Sequence, residues 1–127
     1  MDFRDGEPMP SVAAGHGVIH YSDFSGQAQG AKRWPPLLLV HGAGGSRLDW
    51  PAALRRLPGA RVLTLDLPGH GRSTGPGRDT IEGYAQDVCQ FLDRLGLERA
   101  VLVGHSMGGA IAQRSHSATL IASPGWC

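Results

Sequence analysis

Apolar residues along the chain fall into two alternating patterns. Leu37 to Val40, Arg61 to Leu67 and Ala100 to Val103 are short, largely apolar runs, as expected of strands buried on both faces of a sheet. Gly17 to Tyr21 is a candidate early strand. Between these runs the period changes. Trp50, Ala53, Leu54 and Leu57 recur at helical spacing until Pro58-Gly59 ends the pattern. Ile81, Tyr84, Ala85, Val88, Leu92 and Leu95 form one apolar stripe, which predicts a helix with Asp87, Gln90 and Arg94 turned outward. Asp79 or Thr80 caps its start and Gly96 closes it. A further helix begins near Gly108. Strand and helix in regular alternation predict an α/β fold, a mostly parallel sheet with helices on both faces.

Residues 1 to about 16 lack any period and read as a loose N-terminus. Residues 17–113 read as a partial α/β domain. The segment 114–127 carries neither a helical period nor the strand expected after another helix, and reads as atypical. If its serines use TCN codons, a shifted frame restores a helix end, a His-Pro stop and a new apolar strand. The segment is therefore expected to be a frameshifted tail.

Composition narrows the functional classes. Twelve Lys and Arg against eleven Asp and Glu leave a net charge of +1, which gives no electrostatic reason to expect nucleic acid or an anionic membrane. The charged, proline-containing start lacks the apolar core of a secretory signal. The longest apolar run falls far short of the ~20 residues that a membrane helix needs. A cytoplasmic protein acting on a small-molecule substrate is the expectation, and its oligomeric state is not legible. The two cysteines, Cys89 and Cys127, match neither a disulfide framework nor a zinc site. No metal and no cofactor is expected.

The nineteen glycines cluster in segments that follow the apolar runs. Gly104-His105-Ser106-Met107-Gly108 is a G-x-S-x-G segment between a strand and a helix. Such a turn lifts the serine hydroxyl above the sheet edge, and glycines on either side permit backbone approach that a β-carbon would block. Ser106 is the candidate nucleophile, with Gly104, His105 and Gly108 shaping its turn and the His105 side chain directed into the fold. His41-Gly42-Ala43-Gly44-Gly45-Ser46 follows the first apolar run. Acyl transfer needs two N–H groups aimed at an oxyanion, and the backbone of Ala43 and Met107 is expected to supply them. Nucleotide-loop readings fail, because Arg47 occupies a position where a dinucleotide fingerprint needs glycine and no Gly-Lys-Ser/Thr follows. His41 and Gly42 are expected to brace this loop. Asp66 and His70, in the third segment Asp66 to Ser73, precede the serine and read as turn-shaping residues, not as members of a triad. His116 is no convincing base.

Together the three motifs, the His-Gly-Ala-Gly-Gly-Ser loop, the Asp-Leu-Pro-Gly-His-Gly-Arg-Ser turn and the Gly-His-Ser-Met-Gly-Gly elbow, resemble the α/β-hydrolase superfamily from Pro36 to Gln113. The resemblance implies the N-terminal half of that fold, cut after the nucleophile elbow, and a serine hydrolase of the esterase, lipase or lactonase kind. A serine at the elbow counts against dehalogenase and epoxide hydrolase chemistry, for which the family carries aspartate. The family's acid and histidine come later than residue 127, so this chain by itself is expected to be inactive or nearly so. A non-catalytic ligand-binding or interaction fragment, or carbon-carbon hydrolysis or perhydrolysis by the full-length parent, are the competing readings.

Overall fold

The computed structural model describes residues 10–24 and 35–115. Five strands form one sheet in the order β1-β2-β4-β3-β5, with β1 at Ser11–Ala14, β2 at Gly17–Asp23, β3 at Leu37–Val40, β4 at Val62–Leu65 and β5 at Val101–Gly104. β3 pairs in parallel with both β4 and β5, aligning Leu38 with Leu63 and with Leu102. β1 and β2 form an antiparallel hairpin, and β2 joins β4 antiparallel through Tyr21, Ser22 and Asp23. The sheet is therefore parallel at its centre and antiparallel along one side.

The apolar runs lie where both sheet faces are covered. Successive residues point to opposite faces. Leu38, Val40, Leu63, Leu65 and Leu102 accordingly pack with Ile19, Val88, Phe91, Leu92 and Ile111 in one cluster. Leu39 and Val62 pack with Ala60 on the other side, where Trp50, Leu54 and Val103 adjoin them. Helices α2 (Ile81–Arg94) and α3 (Met107–Arg114) cover the first face, and the four-residue α1 (Ala52–Arg55) lies on the second. Thr80 caps α2 by accepting a hydrogen bond from the Gly83 N–H at 3.0 Å, and Gly96, with a φ of +72°, ends it.

Several expectations need correction. Ser11–Ala14, read as loose terminus, is a strand, because the turn at Gly15 folds it back onto β2. Residues 1–9 and 116–127, which include most of the segment read as a frameshifted tail as well as His116 and Cys127, lie outside the described residues. The pattern from Trp50 to Leu57 is not one helix: Pro51 separates a 3-10 turn at Arg47–Asp49 from α1. The strand read at Arg61 to Leu67 is shorter, Val62–Leu65.

The outer face of α2 also differs. Asp87 is buried, and Arg78 grips its carboxylate with two hydrogen bonds of 2.8 and 2.7 Å. Gln90 is exposed but accepts the Gly15 N–H at 2.8 Å. The β1–β2 hairpin therefore lies along a helix face that the stripe assigns to solvent, and only Arg94 of the three polar residues is simply exposed.

Candidate active site

The carboxyl ends of β3, β4 and β5 open into the three glycine-bearing segments. At the end of β5 the chain turns sharply. Ser106, the N-cap of α3, has φ 56° and ψ −120°. Among the described residues it alone has a positive φ without being glycine. Such a backbone costs an L-residue ~1–3 kcal/mol, so the surroundings must enforce it. Gly104 and Gly108 make that enforcement possible. A β-carbon on Gly104 would strike the Gly108 carbonyl, and one on Gly108 would strike the Val40 carbonyl and come within 2.7 Å of the His41 carbonyl. Two bare α-carbons thus let α3 start directly against the end of β3. Ser106 is exposed, its hydroxyl makes no capping bond, and it stands at the N-terminus of an eight-residue helix, where the peptide dipoles favour negative charge.

The loop after β3 is pressed against this turn. A β-carbon on Gly42 would lie 3.2 Å from both the Ser106 β-carbon and the His105 carbonyl oxygen. Ala43 and Gly44 follow, both exposed, and a Gly45 N–H to Gly42 carbonyl bond of 3.0 Å closes the loop. Ser46 then caps the 3-10 turn. Its hydroxyl accepts the Leu48 N–H at 3.1 Å and its own N–H donates to the Asp49 carboxylate at 3.1 Å.

His41 braces this loop. It is buried, its Nε2 accepts the Leu67 N–H at 3.0 Å, and its Nδ1 lies 2.7 Å from the Gly42 carbonyl. Burial, the largest influence, pushes its pKa below the ordinary 6.5, although the bond to the Gly42 carbonyl pulls the other way. Asp66, fully buried, turns its carboxylate to the Arg47 N–H at 2.7 Å, the Arg47 guanidinium at 2.9 Å and the Arg72 N–H at 3.0 Å. The Ser73 hydroxyl donates to the Asp66 carbonyl at 2.5 Å, closing the turn. His70 contributes its Nε2 to the Gly44 N–H at 3.0 Å. The turn-shaping expectation for Asp66 and His70 matches this geometry, while the partner of Asp66, the buried Arg47, was missed. A basic residue three positions before Trp50 carries no sequence signal of burial.

A cavity of about 240 Å3 adjoins the elbow, lined by His41, Gly42, Asp49, Trp50, Pro51 and His105. His105, expected to point into the fold, is exposed among the described residues and contributes to this lining. It flanks Ser106 on a turn too sharp for its ring to follow β5 into the sheet. Trp50 and the Asp49 side chain were not singled out by sequence. The buried Nε1 of Trp50 has no hydrogen-bond partner among the described residues. Among the described residues no cluster of His, Cys, Asp or Glu could hold a metal ion.

Residues 35–114 match the alpha/beta hydrolase fold family. The chain is 41% identical over 97 residues to an sn-1-specific diacylglycerol lipase of Xenopus tropicalis, a match covering 74% of this chain and 29% of that protein. The structure of a bacterial membrane phospholipase A superposes with a TM-score of 0.69 at 32% identity, over 85% of this chain and 34% of that one. The enol-lactonase from Burkholderia xenovorans LB400 superposes with a TM-score of 0.68 at 31% identity, over 81% of this chain and 39% of that one. The chain spans between 29% and 39% of the length of these three proteins. The matched segment contains β3 to β5, α1 to α3 and the three glycine-bearing loops, and the chain belongs to the α/β-hydrolase fold family.

Proposed function

We propose that this chain carries the nucleophile and oxyanion-binding half of a serine hydrolase that acts on a small ester or related acyl substrate. The observation that carries the reading is Ser106, held at φ 56° at the start of α3 with the Gly42 loop against its β-carbon. In this reading the Ser106 Oγ attacks the acyl carbon, and the carbonyl oxygen becomes an oxyanion between the N–H groups of Ala43 and Met107. Neither of those N–H groups is engaged by the backbone hydrogen bonds that close the loop and start the helix. The leaving alcohol takes a proton, and water then releases the acid from the acyl-serine.

Ser106 needs a base, and Asp66, His41 and His70 are already committed. The Asp66 carboxylate is filled by Arg47 and Arg72, and both ring nitrogens of His41 and of His70 face backbone groups. Among the described residues no side chain bonds the Ser106 hydroxyl. A histidine and an acid from the remaining two thirds of the family's length complete the mechanism in the whole protein, and the chain alone reacts slowly.

Prolonged treatment with a fluorophosphonate, followed by peptide mapping, tests the assignment. An adduct on Ser106 that disappears in Ser106→Ala is expected. An adduct on another residue, or one that survives the substitution, would show that Ser106 is not the reactive group.

A further inference from the structure

The loop after β3 and the turn after β4 are stitched together at three points. Leu67 N–H meets His41 Nε2, Gly44 N–H meets His70 Nε2, and Arg47 N–H meets the Asp66 carboxylate. Two of the three acceptors are imidazole nitrogens. That fixes their protonation. A backbone N–H only donates, so each Nε2 must be bare. A carbonyl only accepts, so each Nδ1 must carry the proton, toward Gly42 in His41 at 2.7 Å and toward Pro68 in His70 at 3.1 Å. The rings lie next to one another, with centroids 5.0 Å apart, and Tyr84 from α2 sets the edge of its ring against His70.

We infer that His41 and His70 are a paired clamp of neutral imidazoles that positions the Ala43 amide beside Ser106, and that protonating His70 releases the loop at Gly44. The inference rests on the hydrolase reading only for what the loop is used for; the clamp itself stands on the hydrogen bonds. An imidazolium carries hydrogen on both nitrogens, so the Nε2–H of a charged His70 would face the Gly44 N–H and the two would repel. Gly44 follows Ala43 directly, is exposed, has a φ of +76°, and a β-carbon on it would meet nothing within 4 Å. His41 is fully enclosed, whereas His70 is half-buried and partly open to solvent. The groups facing the pair are the two rings themselves, Tyr84 from α2, Asp66 at the end of β4 and Asp49 after the loop. Asp66 and Asp49 draw the His41 pKa upward and a charged His70 drives it down, so the rings do not both take a proton readily.

Nuclear magnetic resonance on the chain tests this without any turnover. Ring nitrogen shifts at about pH 8 should report the Nδ1–H tautomer for both histidines. On acidification to about pH 5 the Gly44 amide resonance should move with the same midpoint as the His70 ring. In His70→Gln, where the side-chain oxygen keeps an acceptor near the Nε2 position, the Gly44 amide should stay put. In His70→Asn, which keeps a donor for Pro68 but loses that acceptor, it should resemble the acid form at every pH. An Nε2–H tautomer on either ring, a Gly44 amide that ignores the His70 titration, or a His70→Gln chain that titrates like the parent would overturn the clamp. The tautomer reading needs no variant, so it decides even if a substitution fails to fold. Labelling of Ser106 reports separately on the hydrolase reading, since loss of one result leaves the other unaffected.

Discussion

Gly108 rests its bare α-carbon against the carbonyl oxygen of Val40, joining the first turn of α3 to the last residue of β3 with no side chain between them. A methyl group there has nowhere to go, because both partners are backbone held in the sheet and at the loop start. Gly108→Ala should destabilise the chain by about 1–3 kcal/mol, the usual cost of overpacking. Gly109 supplies the control: a β-carbon on it would meet its nearest neighbour, the Gly104 carbonyl, at 3.6 Å. Gly109→Ala should stabilise by up to about 1 kcal/mol through helix propensity. Urea midpoints of the two variants must move in opposite directions, and a neutral Gly108→Ala would refute the packing argument.

The buried pair Arg47–Asp66 and the more open pair Arg61–Asp23 both have N–O distances of 2.9 Å, yet they should differ in energy. Asp66 is 0% exposed, and an amide in its place leaves the buried guanidinium without its counter-charge and turns an NH2 group toward donors that a carboxylate oxygen now accepts. Asp66→Asn should cost about 3–5 kcal/mol, a large share of the ~5–15 kcal/mol that ordinarily separates folded from unfolded chains. Asp23→Asn should cost less than about 1 kcal/mol. Equal effects in urea titrations would mean that burial is not what distinguishes them.

Acid should weaken the fold through His41. Its pKa is lowered in the folded state, chiefly by burial, so between that value and the ordinary 6.5 the unfolded chain binds the extra proton. Its contribution to stability is therefore complete above 6.5 and declines as the pH falls from there through the lowered value. The urea midpoint should hold steady from about pH 8 to pH 7 and drop on further acidification, before the carboxylates begin to protonate. A midpoint that rises through this window would contradict the sign of the shift.

The parts of this fold that were legible are those with local causes. β3, β4 and β5 show as apolar runs because both sheet faces are covered, and α2 shows its stripe because one face of it is. The G-x-S-x-G segment located the turn at Ser106 because Gly104 must be bare against Gly108, four residues on, although the contact of Gly108 with Val40 lies beyond any local pattern. What escaped depends on contacts distant in sequence. Asp87 looks solvent-facing on a helical wheel, yet Arg78 and the β1–β2 hairpin bury it. Arg47 is a charge in a polar stretch until Asp66, nineteen residues later, folds over it. His70 reads as a turn residue, and only the folded chain shows its ring meeting Gly44, twenty-six residues earlier.

Because β3, β4 and β5 run in the same direction, their three glycine-bearing segments leave the sheet at one edge, and among the described residues the opposite edge carries the connections through Pro36, Arg61 and Ala100. The two edges therefore answer to different demands. A change in a connection at the far edge alters how firmly the sheet holds, while a change at an exposed loop position such as Ala43 alters what the sheet presents. The buried loop anchors Arg47 and Asp66 belong with the scaffold, and the exposed positions between them are the ones open to exchange.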